Sequence, residues 1–327
     1  MTPPALKTAR IVAAGPAMSA PLLDPIAGAL AGLGHHVTAH YGEARDLGAD
    51  WAEADVAVWY GLPCGHDVLA RAPSLRAVVA PTIGCEWIDH RAATDLGILV
   101  VNGQVPENYE SMAEAAVLLM LAALYDLRGT EAELRGTGRR GKPRMLRGKT
   151  VGIIGFGNIA RCLVTRLEGW GVRILANTRT PREAPGVAFV PLDALIAESD
   201  VVVVLASLNG ESLHLLEERR LARIRRDAVL LNLSRGPVVD EAALARLVAA
   251  GHLSAVALDV FEVEPLPADS PLRALPNAIL TPHSIGHTTE SFAAIPRVAV
   301  ANVLAVIAGE VPASTLNPDA LERWKAK

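Results

Sequence analysis

Short runs of branched apolar residues recur along almost the whole chain, and each is followed nearby by Gly, Pro, Asn or Asp. Longer segments of helix-forming composition separate the runs, as in the stretch 240–251. Continuous Val, Ile and Leu runs without polar alternation are typical of strands that helices cover on both faces, so the pattern predicts parallel α/β sheets. The predicted strands are 10–15, 36–40, 55–60, 76–80 and 97–102, followed by 150–155, 172–176, 200–207, 228–234, 254–260 and 277–283.

The predicted strands fall into two series, which indicates two doubly wound domains. The length of 327 residues agrees, because it exceeds what one hydrophobic core usually supports. Between the series, Pro106 suits the start of a helix and Gly129 its end. For the basic stretch 135–149 we favour a solvated loop over a phosphate site. The helix-like segment 290–310 is expected to return to the first domain.

Composition and charge disfavour several classes of protein. With 31 basic and 35 acidic side chains, which nearly cancel, the chain is not expected to bind nucleic acid or an anionic membrane surface. The apolar run 113–127 is shorter than the ~20 residues of a membrane span, and the N-terminus lacks the apolar region of a signal peptide. Cys64, Cys85 and Cys162 have no CxxC spacing, and the histidines do not cluster with carboxylates, so neither a disulfide framework nor a metal site is expected. These features predict a cytoplasmic protein.

A glycine fingerprint follows the first strand of the second series. The string Gly-Phe-Gly-Asn-Ile-Ala matches the GxGxx(G/A) pattern of dinucleotide-binding folds. Gly155 permits a tight turn, Gly157 lets the backbone approach a pyrophosphate, and Ala160 allows close packing of helix on strand. The amides of Asn158 and Ile159 are expected to face the phosphates at the positive end of the helix.

The end of the next strand predicts which nucleotide binds. NAD sites usually carry Asp or Glu about 20 residues after the glycines, where it accepts from the ribose 2′-hydroxyl. Asn177, Thr178 and Arg179 occupy that region, with no carboxylate among them. A guanidinium attracts a 2′-phosphate, so we predict NADP in preference to NAD.

Three further segments end predicted parallel strands and supply Arg235, Glu264 and His283. Each alone has an ordinary explanation, as a surface charge, a loop residue or a core histidine. Together they are what hydride transfer to a 2-keto acid needs. The guanidinium holds the carboxylate and polarises the carbonyl, the imidazolium donates a proton, and the carboxylate orients the imidazole.

These strings, GFGNIA, NLSRGPVVDEAAL, DVFEVEPLP and TPHSIGHTTE, resemble in order and spacing the D-isomer-specific 2-hydroxyacid dehydrogenase family. In the first domain, PTIGCEWID resembles the family's substrate loop, and VPENYESMAEAAVLLML its interdomain helix. The resemblance implies NAD(P)H-dependent reduction of a small 2-keto acid to the (R)-2-hydroxy acid. It implies catalytic roles for Arg235, Glu264 and His283, substrate contacts at Tyr60, Ile83, Gly84 and Arg235, and cofactor contacts at Ser207, Ser234 and Asp259.

The resemblance also implies the domain organisation. A Rossmann dinucleotide-binding domain at 103–286 is expected to be inserted into a flavodoxin-like substrate domain made of 1–102 and 287–327. The long helix is expected to help form a homodimer.

The chain departs from the family at its substrate loop. Cys85 and Glu86 stand where Val and Asp are usual, and Trp87 stands where Asn or His is common. We favour packing for Trp87 over a reshaped substrate site, and His287 is a possible substrate contact. Two other functions stay open on the same fold: a nucleotide-sensing, corepressor-like interaction protein, and a phosphite or formate dehydrogenase. Formate enzymes pair the histidine with Gln, so Glu264 argues against formate.

Overall fold

The computed structural model describes residues 8–180 and 183–327. The chain divides into two compact units. The first contains the residues up to Glu107 together with Thr289–Lys327, and the second is Asn108–Thr288. The first unit is therefore built from two separate stretches of chain.

The first unit contains a five-stranded parallel sheet. Its strands are β1 (Arg10–Gly15), β2 (His36–Tyr41), β3 (Val56–Trp59), β4 (Ala77–Val79) and β5 (Leu99–Val101). The helices between them are α1 (Ala20–Gly32), α2 (Ala49–Ala52), α3 (His66–Leu69) and α4 (His90–Asp95). The strand order β2-β1-β3-β4-β5 is that of flavodoxin-like sheets. The strands β3, β4 and β5 are fully buried, although β5 lies at the edge of the sheet, and this burial explains their unbroken apolar sequences.

The second unit contains a seven-stranded parallel sheet. Its strands are β6 (Thr150–Ile154), β7 (Arg173–Asn177), β8 (Val187–Phe189), β9 (Val201–Val204), β10 (Val229–Asn232), β11 (Ala255–Leu258) and β12 (Ala278–Leu280). Their order is β12-β11-β10-β9-β6-β7-β8, in which the chain reverses direction across the sheet between β6 and β9. This is the Rossmann arrangement, so the prediction of two parallel α/β domains is confirmed.

Helices cover both faces of the second sheet. They are α5 (Pro106–Leu124), which begins in the first unit, α7 (Asn158–Leu167), α8 (Leu192–Glu198), α9 (Glu218–Leu221) and α10 (Glu241–Ala249). Helix α6 (Leu127–Leu134) follows α5 and has no buried residue. The prediction of one helix over 106–129 is wrong at its end, because Asp126 adopts a left-handed conformation (φ 49°) between α5 and α6. Its carboxylate accepts from the N–H of Gly129 and from that of Gly141, so it both starts α6 and holds the loop that follows.

The chain returns to the first unit with α11 (Thr289–Ile307) and ends with α12 (Leu321–Lys325). Among the described residues, α11 is long and apolar enough to cross a membrane by length and composition alone. Its Ala299, Val303 and Val306 are buried in the same hydrophobic cluster as β1 and β3. The helix therefore packs as a core helix of the first unit.

Candidate active site

Most of the predicted site residues lie at one edge of the second sheet. Parallel strands bring their carboxyl ends together, and open α/β sheets bind ligands outside those ends. The residues at this edge follow β6, β7, β9, β10, β11 and β12; they are Gly155, Gly157, Asn158, Ile159, Asn177, Thr178, Arg179, Ser207, Ser234, Arg235, Asp259, Glu264 and His283.

The glycine turn after β6 has the space that a pyrophosphate needs. Gly155 has φ +91°, and a Cβ there would lie 2.6 Å from the backbone N and Cα of Ala206, so no side chain fits. Gly157, which caps α7, has nothing within 4 Å of its Cβ position and no side-chain bond at the cap. The positive end of this ten-residue helix therefore has no side-chain cap and open space beside Gly157, which suits a phosphate group.

A tyrosine from α5 also reaches this turn. The side chain of Asn158 hydrogen-bonds the hydroxyl of Tyr109, and burial raises the pKa of that hydroxyl although the bond opposes the rise. The bond fixes the side chain of Asn158 at the start of α7. This contact was not predictable from local sequence, because Tyr109 and Asn158 lie far apart in the chain.

A backbone hydrogen bond connects the end of β7 to the glycine turn. The carbonyl oxygen of Asn177 accepts from the N–H of Gly155 at 2.8 Å, and its side chain donates to the carbonyl of Val190 at 3.0 Å. Arg179 is exposed and forms an ion pair with Glu211, Nη1 to Oε2 3.0 Å. Glu211 lies in the loop after β9, which also contains Ser207.

A buried asparagine shapes the loop that carries Arg235. Asn232, the last residue of β10, is 2% exposed. Its Oδ1 accepts from the Oγ of Ser234 at 3.0 Å, and its Nδ2 donates to the carbonyl of Arg235 at 3.0 Å. The half-buried Arg235 side chain donates from Nη1 to the carbonyl of Ser234 at 2.8 Å. The backbone of the loop is thus fixed from within the strand.

The loop after Arg235 lies directly against the loop that carries Glu264. A Cβ built on Gly236 would lie well under 3.0 Å from three backbone atoms, namely C and O of Phe261 and N of Glu262. Only glycine permits this approach. Glu262 and Glu241 reinforce it reciprocally, since each backbone N–H donates to the other carboxylate, at 3.1 and 3.0 Å.

Glu264 and His283 meet at the ends of the adjacent strands β11 and β12. Oε2 of Glu264 lies 2.7 Å from Nδ1 of His283, while Oε1 accepts from the N–H of Phe261 at 3.0 Å. Both side chains are partly exposed, at 37% and 41%. With Nδ1 held by a carboxylate, Nε2 is the ring atom left to exchange a proton with a ligand.

The turn around His283 is organised by a second, buried carboxylate. Oδ1 of Asp259 accepts from Thr281 Oγ1 (2.6 Å), Ser284 N (3.0 Å) and Ile285 N (3.1 Å). Within this turn His283 has φ 53°, a left-handed conformation that costs a residue with a Cβ about 1 kcal/mol or more. The three bonds to Asp259 hold the turn closed around it.

His287 lies close enough to this site to interact with it electrostatically. Burial, and the neighbouring charge of His283, lower the pKa of His287, while Asp259 acts in the opposite direction. His287 is therefore neutral near pH 7.

The predicted substrate residues of the first unit follow β3 and β4. The carbonyl of Ile83 accepts from Asn102 Nδ2 at 2.7 Å, and that of Gly84 accepts from Thr82 Oγ1 at 2.9 Å. The backbone N–H groups of Ile83 and Gly84 make no hydrogen bond to the residues that the structure describes, so they are available to a ligand. Nearby in the chain, Trp87 packs edge-on against Tyr60, with ring centroids 5.4 Å apart.

Comparisons with known proteins agree with this geometry. Residues 117–284 match the model of the D-isomer specific 2-hydroxyacid dehydrogenase, NAD binding domain. A glyoxylate reductase of Korarchaeum cryptofilum is 36% identical over 277 residues, which are 80% of this chain and 81% of that protein. The chain belongs to the D-isomer-specific 2-hydroxyacid dehydrogenase family. It is an oxidoreductase with a nicotinamide cofactor site, as the resemblance implied.

Solved structures of similar proteins cover almost the whole dehydrogenase. An NADPH-dependent glyoxylate/hydroxypyruvate reductase from Sinorhizobium meliloti, in complex with NADP and malonate, has a TM-score of 0.84 at 26% identity, covering 96% of this chain and 98% of that one. An NAD-dependent formate dehydrogenase from Staphylococcus aureus has a TM-score of 0.79 at 26% identity, covering 93% and 98%. Both nucleotides therefore occur on this fold.

Several residues that shape the site of the dehydrogenase were not predicted. Gly236 carried a detectable signal, because it is a glycine directly after the candidate cation. Its role was not predictable, because it depends on the backbone of the neighbouring loop. Asn232, Tyr109 and Glu211 had no local signal, because their partners lie on other elements. Within the described ranges no group of three or more His, Cys, Asp or Glu side chains is arranged to hold a metal ion.

Proposed function

We propose that this dehydrogenase reduces glyoxylate or hydroxypyruvate to the (R)-2-hydroxy acid, with NADPH preferred over NADH. The observation that carries the proposal is the 2.7 Å contact between Glu264 and His283, beside Arg235 at the carboxyl edge of the second sheet. Glyoxylate reductases among the relatives support the substrate class.

The nicotinamide cofactor, when bound, supplies the hydride. Arg235 binds the substrate carboxylate and polarises the keto carbonyl, so that negative charge developing on the oxygen is stabilised. His283 gives a proton from Nε2 to that oxygen. Glu264 accepts from Nδ1–H of the ring and so holds Nε2 in the orientation needed to give its proton to the substrate oxygen.

We assign the remaining predicted contacts in the same way. The free N–H groups of Ile83 and Gly84 bind the substrate carboxylate, and Tyr60 contacts the substrate. In the second unit, the phosphate groups are held by Gly155, Gly157, Asn158 and Ile159, the adenosine half by Asn177, Thr178, Arg179 and Ser207, and the nicotinamide by Ser234 and Asp259. Cofactor binding thus belongs to the continuous unit.

The preference for NADPH is supported by charge. Arg179 stands two residues beyond the end of β7, and no carboxylate occurs between Asn177 and Arg179. A 2′-phosphate gains a charge-assisted contact with such a guanidinium. Arg179→Ala is therefore expected to raise the KM for NADPH much more than the KM for NADH.

We also propose a homodimer formed through α5, α6 and the loop after them. Large apolar side chains are exposed in these segments; they are Leu118 (56%), Tyr125 (49%), Leu127 (59%), Leu134 (88%) and Met145 (64%). A second copy of the chain would remove them from water. Light scattering should give twice the monomer mass, and Leu134→Asp should shift it toward the monomer.

The free cysteines of the described chain are compatible with the reducing cytoplasm, which we propose as its compartment.

A panel of 2-keto acids, assayed with NADPH and with NADH at the nicotinamide absorbance, tests the proposed reaction. Glyoxylate and hydroxypyruvate should be reduced fastest, and the chiral product should be the (R)-isomer. Formate and phosphite with NAD⁺ and NADP⁺ form the counter-panel. Turnover of formate or phosphite without turnover of any 2-keto acid would contradict the proposal.

A further inference from the structure

One ion pair crosses the edge of the second sheet where the adenosine half of the cofactor is proposed to bind. Arg179 follows β7 and Glu211 follows β9, and these two strands lie on opposite sides of β6. Neighbouring strands are about 4.8 Å apart, so the pair joins loops whose strands are about 10 Å apart. Between them lies the glycine turn that begins at Gly155.

The loop that carries Glu211 is fixed by its own hydrogen bonds. Oδ1 of Asn209 accepts from the N–H of Glu211 at 2.9 Å and from that of Ser212 at 3.2 Å. The buried hydroxyl of Ser212 accepts from the N–H of Asn209 and donates to the carbonyl of Ser207, both at 2.7 Å. The backbone of Glu211 is therefore held in place, and its carboxylate faces Arg179 without rearrangement of the loop.

The start of the same loop is packed against the glycine turn. A Cβ on Gly155 would lie 2.6 Å from the Cα of Ala206 and 2.7 Å from the carbonyl carbon of Leu205. The turn and the loop after β9 thus form one continuous rim, and Glu211 lies on the rim that also contains Ser207.

We propose that Glu211 is a specificity-determining residue that competes with the adenosine 2′-phosphate of NADPH for Arg179. This inference rests on the proposed role of Arg179. A guanidinium paired with a carboxylate must leave it to bind a phosphate, and the same carboxylate repels the phosphate charge. The adenosine of NADH carries a neutral 2′-hydroxyl instead. NADH therefore binds without breaking the Arg179–Glu211 ion pair and without repulsion from the carboxylate of Glu211. Glu211 therefore lowers the ratio of NADPH affinity to NADH affinity, which Arg179 raises.

A double-mutant cycle on ligand binding tests the competition. Wild type, Glu211→Gln, Arg179→Ala and the double variant are titrated calorimetrically with adenosine 2′,5′-bisphosphate and with adenosine 5′-monophosphate. Glu211→Gln should tighten the bisphosphate about three- to tenfold and change the monophosphate less than about twofold. In the Arg179→Ala background the same change should tighten the bisphosphate at most about twofold, because no guanidinium is left to release.

The chain offers a matched control on the same strand. Arg173 begins β7 at the opposite edge of the sheet and pairs with Glu198, Nη1 to Oε2 2.9 Å, also on the surface. Glu198→Gln removes the same charge from a similar ion pair, so it should leave both affinities unchanged. The ratio of kcat/KM for NADPH to that for NADH should rise in Glu211→Gln and stay constant in Glu198→Gln.

The outcomes separate this inference from the proposed function. If Arg179→Ala weakens the bisphosphate but Glu211→Gln does not tighten it, or if Glu198→Gln tightens it equally, the role of Glu211 is wrong and that of Arg179 stands. If wild type binds both ligands equally and Arg179→Ala changes neither affinity, the proposed NADPH preference fails, and the role of Glu211 fails with it.

Discussion

Gly236→Ala tests whether the close approach of two loops sets the position of Arg235. The added Cβ would overlap the backbone of Phe261 and Glu262, which cannot rotate away as a side chain can. Carbon atoms in contact are normally about 3.5–4.0 Å apart, whereas the added Cβ would lie 1.9 Å from the carbonyl carbon of Phe261, so the loops must separate by about 1.5–2 Å. The overpacking should cost about 1–3 kcal/mol of stability. A displacement of about 1 Å at a reacting group costs about a hundredfold in rate.

The assay compares kcat/KM for glyoxylate, NADPH affinity by fluorescence, and Tm. We expect kcat/KM to fall about a hundredfold, while NADPH affinity changes less than about threefold because the glycine turn is untouched. Tm should fall by about 2–4 °C for each kcal/mol lost. Retained NADPH binding shows that the second unit is folded, so the loss of rate can be assigned to the displaced loops.

Gly28→Ala is the matched control. Gly28 lies in α1, and a Cβ there would meet nothing within 4 Å. The change should leave kcat/KM unaltered and raise stability slightly. A folded Gly236→Ala enzyme within about threefold of the wild-type kcat/KM would refute the argument, since the loops would then tolerate separation without loss of catalytic geometry.

Three further predictions concern the charged groups of the site. Arg235→Ala should lower kcat/KM by at least about a hundredfold with little change in NADPH affinity, and a variant within about fivefold of wild type would contradict its role. Glu264→Gln keeps the shape but removes the anion that holds Nδ1 of His283, so kcat/KM for reduction should fall by at least about tenfold, and an unchanged kcat/KM would show that another group orients the ring. The lowered pKa of His287 means that the unfolded chain takes up this proton at higher pH than the folded one, so stability should fall as pH drops below about 6.5. His287→Gln should reduce that fall in urea titrations across this range, and an equal fall in both proteins would count against the burial of the ring.

Sequence was sufficient to predict most strands of the sheets because these strands are buried on both faces. Four consecutive valines in β9 predict a parallel strand that helices cover on both faces. The strand β8 was missed for the opposite reason: Val187–Phe189 is a three-residue edge strand, none of it fully buried. The break between α5 and α6 was missed because Asp126 acts through side-chain bonds to residues three and fifteen positions later.

The site was predictable where chemistry requires particular side chains at the ends of strands. Glu264 and His283 were paired in this way, and they are in contact. Residues that act through packing or through distant partners were not predictable from local sequence. Gly236 matters because of the backbone of Phe261, and Glu211 because the loop after β9 reaches across β6 to Arg179.

The discontinuity of the first unit has a consequence for synthesis on the ribosome. All five strands of its sheet have been made by Val101, yet α11, which shares a hydrophobic cluster with β1 and β3, begins only at Thr289. At a synthesis rate of about 5–20 residues per second, about 10–40 s pass between the synthesis of the last strand and the start of that helix. Meanwhile the uninterrupted stretch Asn108–Thr288 emerges and can fold as a unit. Chaperones that shield apolar strands should therefore bind nascent chains most strongly between these two moments, and release them once α11 has left the exit tunnel.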